Sequence, residues 1–148
     1  LLGMSAPPER VVSSPLRRCR ETARPFAGAL GVTLTVDEAF GEIPTPASIG
    51  LQDRPGWLRG AFGGRWSDIV GDLDYEQWRR AVAAALLRYP GTAVFSHYVA
   101  INAAVSSVTG SDKVLSFRPD HCSITTFEIE DGRLRLVEYG REAESQVL

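Results

Sequence analysis

Short apolar runs that stop abruptly and hand over to helical periodicity recur along this chain, and that alternation restricts its fold more than any other feature. Val11-Val12-Ser13 stops at Ser14-Pro15, a pair that offers an N-cap oxygen and a residue suited to the first helical position. Leu16, Cys19, Ala23, Phe26, Ala27 and Leu30 then recur at helical spacing, and Gly31 supplies the stop. Val32 to Val36 reads as a second strand. Asp72 or Asp74 can cap a helix whose buried face is Tyr75, Trp78, Val82, Ala85, Leu86 and Tyr89. Pro90-Gly91 turns the chain into a third strand, Thr92 to Ser96, after which Ile101, Val105 and Val108 return to helical spacing before Gly110. Strands alternating with helices predict a three-layer α/β/α sandwich around a mostly parallel central sheet. Ser123 to Ile129 and Leu134 to Tyr139 flank Glu130-Asp131-Gly132, which predicts an antiparallel edge hairpin. The tail after Gly140 reads as disordered.

Between Asp37 and about Asp72 the chain is rich in proline and glycine and its periodicity is weak, so it reads as a long loop with one short helix near Trp57 to Phe62. Loops of that length inside a compact domain are usually functional. No internal repeat, low-complexity tract or second domain interrupts the pattern. A chain of 148 residues, 44% hydrophobic, buries roughly two thirds of the surface its unfolded form exposes, and residues 1–148 are expected to form a single domain.

Several function classes fall away on composition. No apolar run approaches the roughly 20 residues that cross a bilayer, and Leu1-Leu2-Gly3-Met4 is too short and uncharged for a signal peptide, so a cytoplasmic location is expected. Cys19 and Cys122 make neither a disulfide framework nor a Cys-x-x-Cys pair. The net charge of −2, from 16 basic and 18 acidic residues well mixed, gives no overall attraction to nucleic acid or an anionic membrane. Arginine is nevertheless crowded into one stretch, at Arg10, Arg17, Arg18, Arg20 and Arg24, and its forked guanidinium suits phosphate. The chain opens on leucine and runs through a short polar segment straight into a strand, as if entered partway through an element, so it is expected to be an N-terminal truncation.

Ligands of parallel sheets bind beyond the carboxyl ends of the strands, which directs attention to the residues after Ser13, Val36 and Ser96. After the first strand, Arg18 falls in the first helical turn, where its guanidinium and unpaired backbone N–H groups can converge on one anion. After the second, Glu42 lies between Phe40 and Ile43, where partial desolvation would let a carboxyl hold a proton. After the third, His97 stands where an apolar strand meets a helix. Each has a plainer explanation: a solvated basic face, a surface loop acid, a satisfied structural histidine. Together they place a cation, a carboxylate and an imidazole at the ends of three strands of one sheet.

The residues that carry this pattern resemble those of the histidine phosphatase superfamily, the phosphoglycerate-mutase-like proteins. Ser14-Pro15-Leu16-Arg17-Arg18-Cys19-Arg20-Glu21-Thr22-Ala23 is similar to the family's Ser-Pro-Leu-x-Arg-Ala-x-x-Thr-Ala signature, with cysteine for the common alanine. Phe40-Gly41-Glu42-Ile43 resembles the Leu-x-Glu-Ile element that carries the acid, and Phe95-Ser96-His97 the Val-Ser-His element. Arg118-Pro119-Asp120-His121-Cys122-Ser123-Ile124-Thr125 looks like the segment before the last hairpin, so the resemblance spans residues 10 to 139. Two departures stand out. Neither His97 nor His121 has the Arg-His-Gly setting of the family's nucleophile, and Tyr98 stands where glycine is usual.

The resemblance implies two-step phosphoryl transfer from a phosphomonoester through a phosphohistidine, with no metal or cofactor. It casts Arg18 and His97 as phosphate ligands and Glu42 as the acid that protonates the leaving oxygen. The attacking histidine would belong to the parent protein rather than to this chain. Arg54, Trp57, Arg59, Phe62, Arg65 and Trp66, with Tyr98, are candidate lid residues over a phosphorylated small molecule or phosphoprotein; a hydrophobic staple accounts for them equally well. Phosphatase and mutase, and any oligomeric state, remain open at this point. A non-catalytic phosphate- or phosphoprotein-binding pseudoenzyme is the alternative. A cysteine-dependent phosphatase fits poorly, since Pro25 occupies the position after Cys19 where arginine is needed, and a serine hydrolase fits worse for want of a Gly-x-Ser-x-Gly elbow.

Overall fold

The computed structural model describes residues 6–144; the opening Leu1 to Met4 segment and the last four residues of the tail lie outside the described residues. Strand β1 (Arg10–Ser13) leads into helix α1 (Arg17–Leu30), then β2 (Leu34–Val36), α2 (Arg54–Phe62), α3 (Tyr75–Leu86), β3 (Thr92–Phe95), α4 (Tyr98–Thr109) and the pair β4 (Thr126–Glu130) and β5 (Arg133–Glu138). The parallel sheet has the order β2-β1-β3, in register from Val11 opposite Leu34 and Ala93. Its central strand is the most deeply buried, with Val11, Val12 and Ser13 at 0–1% exposure, as a parallel strand covered on both faces should be.

The alternation predicted by the sequence is therefore present, with one refinement. The hairpin does not extend the parallel sheet: β4 and β5 form their own two-stranded antiparallel sheet around Asp131-Gly132, where both residues take positive φ. Among the described strands, β3 is hydrogen-bonded along one edge only.

Local chemistry sets the boundaries. Gly31 takes the left-handed conformation that closes α1, and its N–H and that of Val32 return to helix carbonyls. Asp74 caps α3 by accepting from the Gln77 amide, while Asp72 accepts from Ala47 instead. The Pro- and Gly-rich stretch is more structured than its composition implies, because two 3-10 turns and α2 dock Trp57, Leu58 and Phe62 against a core of Ile43, Trp66, Tyr75, Val82, Val99 and Ala103. The tail also departs from expectation up to residue 144: Asp120 and Ala143 donate backbone bonds to Arg141 and Arg118, so the chain doubles back onto the segment before the hairpin. Arg141 pairs with Asp120 at 3.0 Å and Glu142 accepts from the Arg118 amide at 3.2 Å, so side chains reinforce the backbone bonds.

Candidate active site

The carboxyl ends of β1 and β3 are tied together where the sheet gives way to loops. Ser14 N–H donates to the Phe95 carbonyl, Asp37 N–H to Ser13, and the Ser96 hydroxyl to the Phe40 carbonyl at 2.7 Å. These bonds bring the three strand-end segments singled out by sequence into one cluster. Arg18 Nη2 lies 2.9 Å from Glu42 Oε2 and 2.9 Å from His97 Nδ1, and His97 Nδ1 lies 3.7 Å from the same carboxylate oxygen. Guanidinium, carboxylate and imidazole thus meet at one point.

Their environments differ. The His97 side chain is buried, Glu42 is 22% exposed and Arg18 is 63% exposed, so the cluster opens to solvent from the Arg18 side. Burial pushes the His97 imidazole below its ordinary value; Glu42 opposes that shift, and Arg18 and Arg54 reinforce it. Glu42 is steadied by accepting from the Ile43 amide at 3.1 Å.

Ser14 does not cap α1. The helix begins at Arg17 with Leu16 in the cap position and no side-chain cap, while the Ser14 hydroxyl lies 2.7 Å from His97 Nε2 and accepts from the Leu16 amide at 3.2 Å. The cap expectation failed because a buried imidazole competes for the same oxygen. Cys19 completes the wall: its thiol donates to the Ser96 carbonyl at 3.3 Å and sits 3.6 Å from His97 Nε2, and burial raises its pKa. A buried, raised thiol is a poor nucleophile, in keeping with the weak fit to cysteine chemistry. Sequence reading did not find the Ser14 contact. Its one available signal was the proximity of Ser14 to two strand ends.

The candidate lid residues divide. Arg54 opens α2 and reaches back to the acid loop, donating from Nε to Thr45 Oγ1 at 2.7 Å and from Nη2 to the Ile43 carbonyl at 3.1 Å. Trp57 is half-buried and tilts against Tyr75, whose hydroxyl donates to the Pro44 carbonyl and is pushed up to about 12, chiefly by burial. Tyr98 packs on Phe62 and hydrogen-bonds Arg118. Arg59 is exposed on the last turn of α2. Arg65 and Trp66 belong elsewhere: Arg65 pairs its backbone with Lys113, and Trp66 is 1% exposed, against Trp78 and beneath Arg79. Trp66 is core, not lid, because the 3-10 turn after Gly64 folds it inward. Among the described residues, no group of three or more His, Cys, Asp and Glu converges as metal ligands, and no helix is long and apolar enough to cross a membrane.

No match was found among curated proteins. Solved structures similar to this chain include mycobacterial glucosyl-3-phosphoglycerate phosphatase, at 20% identity and TM-score 0.64 over 92% of this chain and 79% of that one. Alpha-ribazole phosphatase from Shigella flexneri matches at 16% identity and TM-score 0.63, over 97% and 79% of the two chains. A structure titled mycobacterial hydrolase 1 matches at 20% and 0.65, over 92% and 78%. At such identities the likeness establishes the fold. The family model for the histidine phosphatase superfamily, branch 1, matches residues 4–142, nearly the whole chain and all of the strand-end cluster, and this chain therefore belongs to that superfamily.

Proposed function

We propose that this chain supplies the phosphate clamp and the proton donor of a cofactor-independent phosphomonoesterase that works through a phosphohistidine. The observation that carries the proposal is the convergence of Arg18, His97 and Glu42 within 2.9–3.7 Å of one another at the strand ends. Arg18 and His97 would hold the phosphoryl oxygens and offset their charge as it redistributes in transfer. In the first step a histidine nitrogen bonds to phosphorus while the ester P–O bond breaks, and Glu42 gives its proton to the departing oxygen. In the second, water attacks phosphorus, yields a proton to the Glu42 carboxylate, and the N–P bond breaks.

The attacking histidine is assigned to an Arg-His-Gly strand of the parent protein, since His97 and His121 both lie outside such a tripeptide. Among the described residues β2 and β3 are both edge strands, and β3 is the one that leads directly into His97, so a further strand laid against it would stand next to the segment that holds that imidazole. Phosphorylated small molecules are the substrate class; the neighbouring folds include phosphatases of glucosyl-3-phosphoglycerate and alpha-ribazole phosphate. Arg54, Trp57, Arg59 and Tyr98 stand on the elements that would face such a substrate's leaving group.

The absence of Arg-His-Gly from this sequence favours one alternative, a non-catalytic phosphate- or phosphoprotein-binding domain. Hydrolysis of an aryl phosphate by the chain joined to an Arg-His-Gly strand, with acid-labile phosphoenzyme, is the expected result. Oxyanion binding with no turnover and no phosphoenzyme in the joined protein would establish the alternative.

A further inference from the structure

The two nitrogens of His97 have partners of opposite character. Nδ1 lies 2.9 Å from Arg18 Nη2, a group that only donates, so Nδ1 must be the bare, accepting nitrogen. The ring proton then sits on Nε2, which lies 2.7 Å from the Ser14 hydroxyl oxygen. That oxygen already accepts from the Leu16 amide and has a second lone pair for the imidazole. Ser14 is fully buried and its own backbone is fixed by the bond to the Phe95 carbonyl, so the hydroxyl is held rather than found by chance.

The structure assigns Arg18 as the group that commits the His97 proton to Nε2, where the Ser14 oxygen receives it, so that an oxyanion entering the site obtains a donor at Nδ1 only by bringing the imidazole a second proton. The proposal rests on the phosphate-clamp reading above for its anion, and on geometry alone for the tautomer. With the site empty, Arg18 satisfies Nδ1. When a tetrahedral oxyanion draws the guanidinium to itself, Nδ1 loses its donor and faces anionic oxygens, and two acceptors in contact are relieved by protonation of the ring. Every charged or titratable group facing the imidazole takes part: Arg18 and Cys19 from α1, Glu42 from the acid loop and Arg54 from α2. Glu42 already favours the imidazolium, and the anion adds to it. Ser14 touches the histidine rather than the reacting atoms and is a positioning residue.

The probe is sulfate, a tetrahedral dianion with no proton of its own to exchange near neutrality. Nitrogen-15 NMR of the His97 ring in the free chain at about pH 8, above the ordinary histidine range, should report the Nε2–H tautomer. Saturating sulfate should convert the ring to imidazolium, and calorimetry in buffers of different ionisation enthalpy should find uptake of about one proton per site. Arg18→Ala should leave the neutral ring a mixture of tautomers, and Arg18→Lys, which restores a donor at Nδ1, should restore the single form. A free ring with its proton on Nδ1, or an Arg18→Ala chain with the wild-type tautomer, overturns the assignment of Arg18. Sulfate bound with no proton uptake overturns the coupling. Failure of the phosphatase reading is seen separately, as lack of turnover in the joined protein, and leaves the free-ring tautomer unchanged.

Discussion

Arg18 and Glu42 form an ion pair at 2.9 Å in the ligand-free site, so the clamp and the acid occupy one another until an oxyanion arrives. With Arg18 63% exposed, that pair is worth little to folding, at most about 1 kcal/mol. Arg18→Ala is expected to lower stability by about 1–3 kcal/mol, chiefly by leaving the buried His97 Nδ1 without its donor, and to weaken oxyanion binding by about tenfold or more, since charge-assisted phosphate contacts contribute about 1.5–3 kcal/mol each. Calorimetric titration with sulfate, set beside a thermal melt, checks both halves.

Glu42→Gln removes the transferable proton while keeping the side chain's size. In the chain joined to an Arg-His-Gly strand, turnover of an alkyl phosphate should fall by about 10²–10⁴, whereas an aryl phosphate with an acidic leaving group should lose far less. Equal losses on the two substrates would take the role of acid away from Glu42.

Acid should weaken the empty protein through His97. Burial lowers the folded-state pKa of this imidazole, so the unfolded chain takes up the proton more readily. The neutral ring's contribution is complete above the ordinary histidine value of about 6.5 and is lost as pH falls through the lower folded value. His97→Gln should flatten that part of the stability-versus-pH curve, and sulfate should do the same in the wild type. Denaturant midpoints measured across the window decide the matter.

Trp66→Ala tests the division between core and lid. Its ring is enclosed by Trp78 and Arg79, and its removal should cost about 3–5 kcal/mol, read as a lower denaturant midpoint. Trp57→Ala, on the half-buried face of α2, should cost less and change substrate preference in the joined protein. A stable Trp66→Ala chain with altered preference would return that residue to the lid.

Cys19→Ala places the residue that is common in the family at this position. A thiol is a weak hydrogen-bond donor to Ser96 and burial raises its pKa, so turnover and sulfate affinity should both survive the exchange. Loss of turnover with the fold intact would revive a cysteine-dependent mechanism.

Arg18, Glu42 and His97 were legible in the sequence because each follows a strand, and strand ends of a parallel sheet converge whatever the loops between them do. Ser14 was misread because its hydroxyl has two competing uses, helix cap and imidazole partner, and only the placement of a residue 83 positions away decides between them. Trp66 was misread for a related reason: arginine and tryptophan side by side describe a lid and an amphipathic core edge equally well. The turn of chain at residues 141–143 is held by backbone bonds to Arg118 and Asp120 together with the Arg141–Asp120 ion pair, a pairing of charges 21 residues apart that no periodicity announces. Arg54 was found by composition, although its anchorage to Ile43 and Thr45 belongs to the folded loop alone.

The separation of β4-β5 from β2-β1-β3 bears on how the molecule comes apart. No ladder runs from one sheet to the other among the described residues, so the hairpin is free to unzip on its own while the parallel strands stay closed. Amide protons of Val11 and Val12, in the middle strand, should then be the last to trade with deuterium, and those of Ile129 and Leu136 should go early. Loosening would start at the carboxyl-terminal ribbon and leave the oxyanion-holding end of the protein for last.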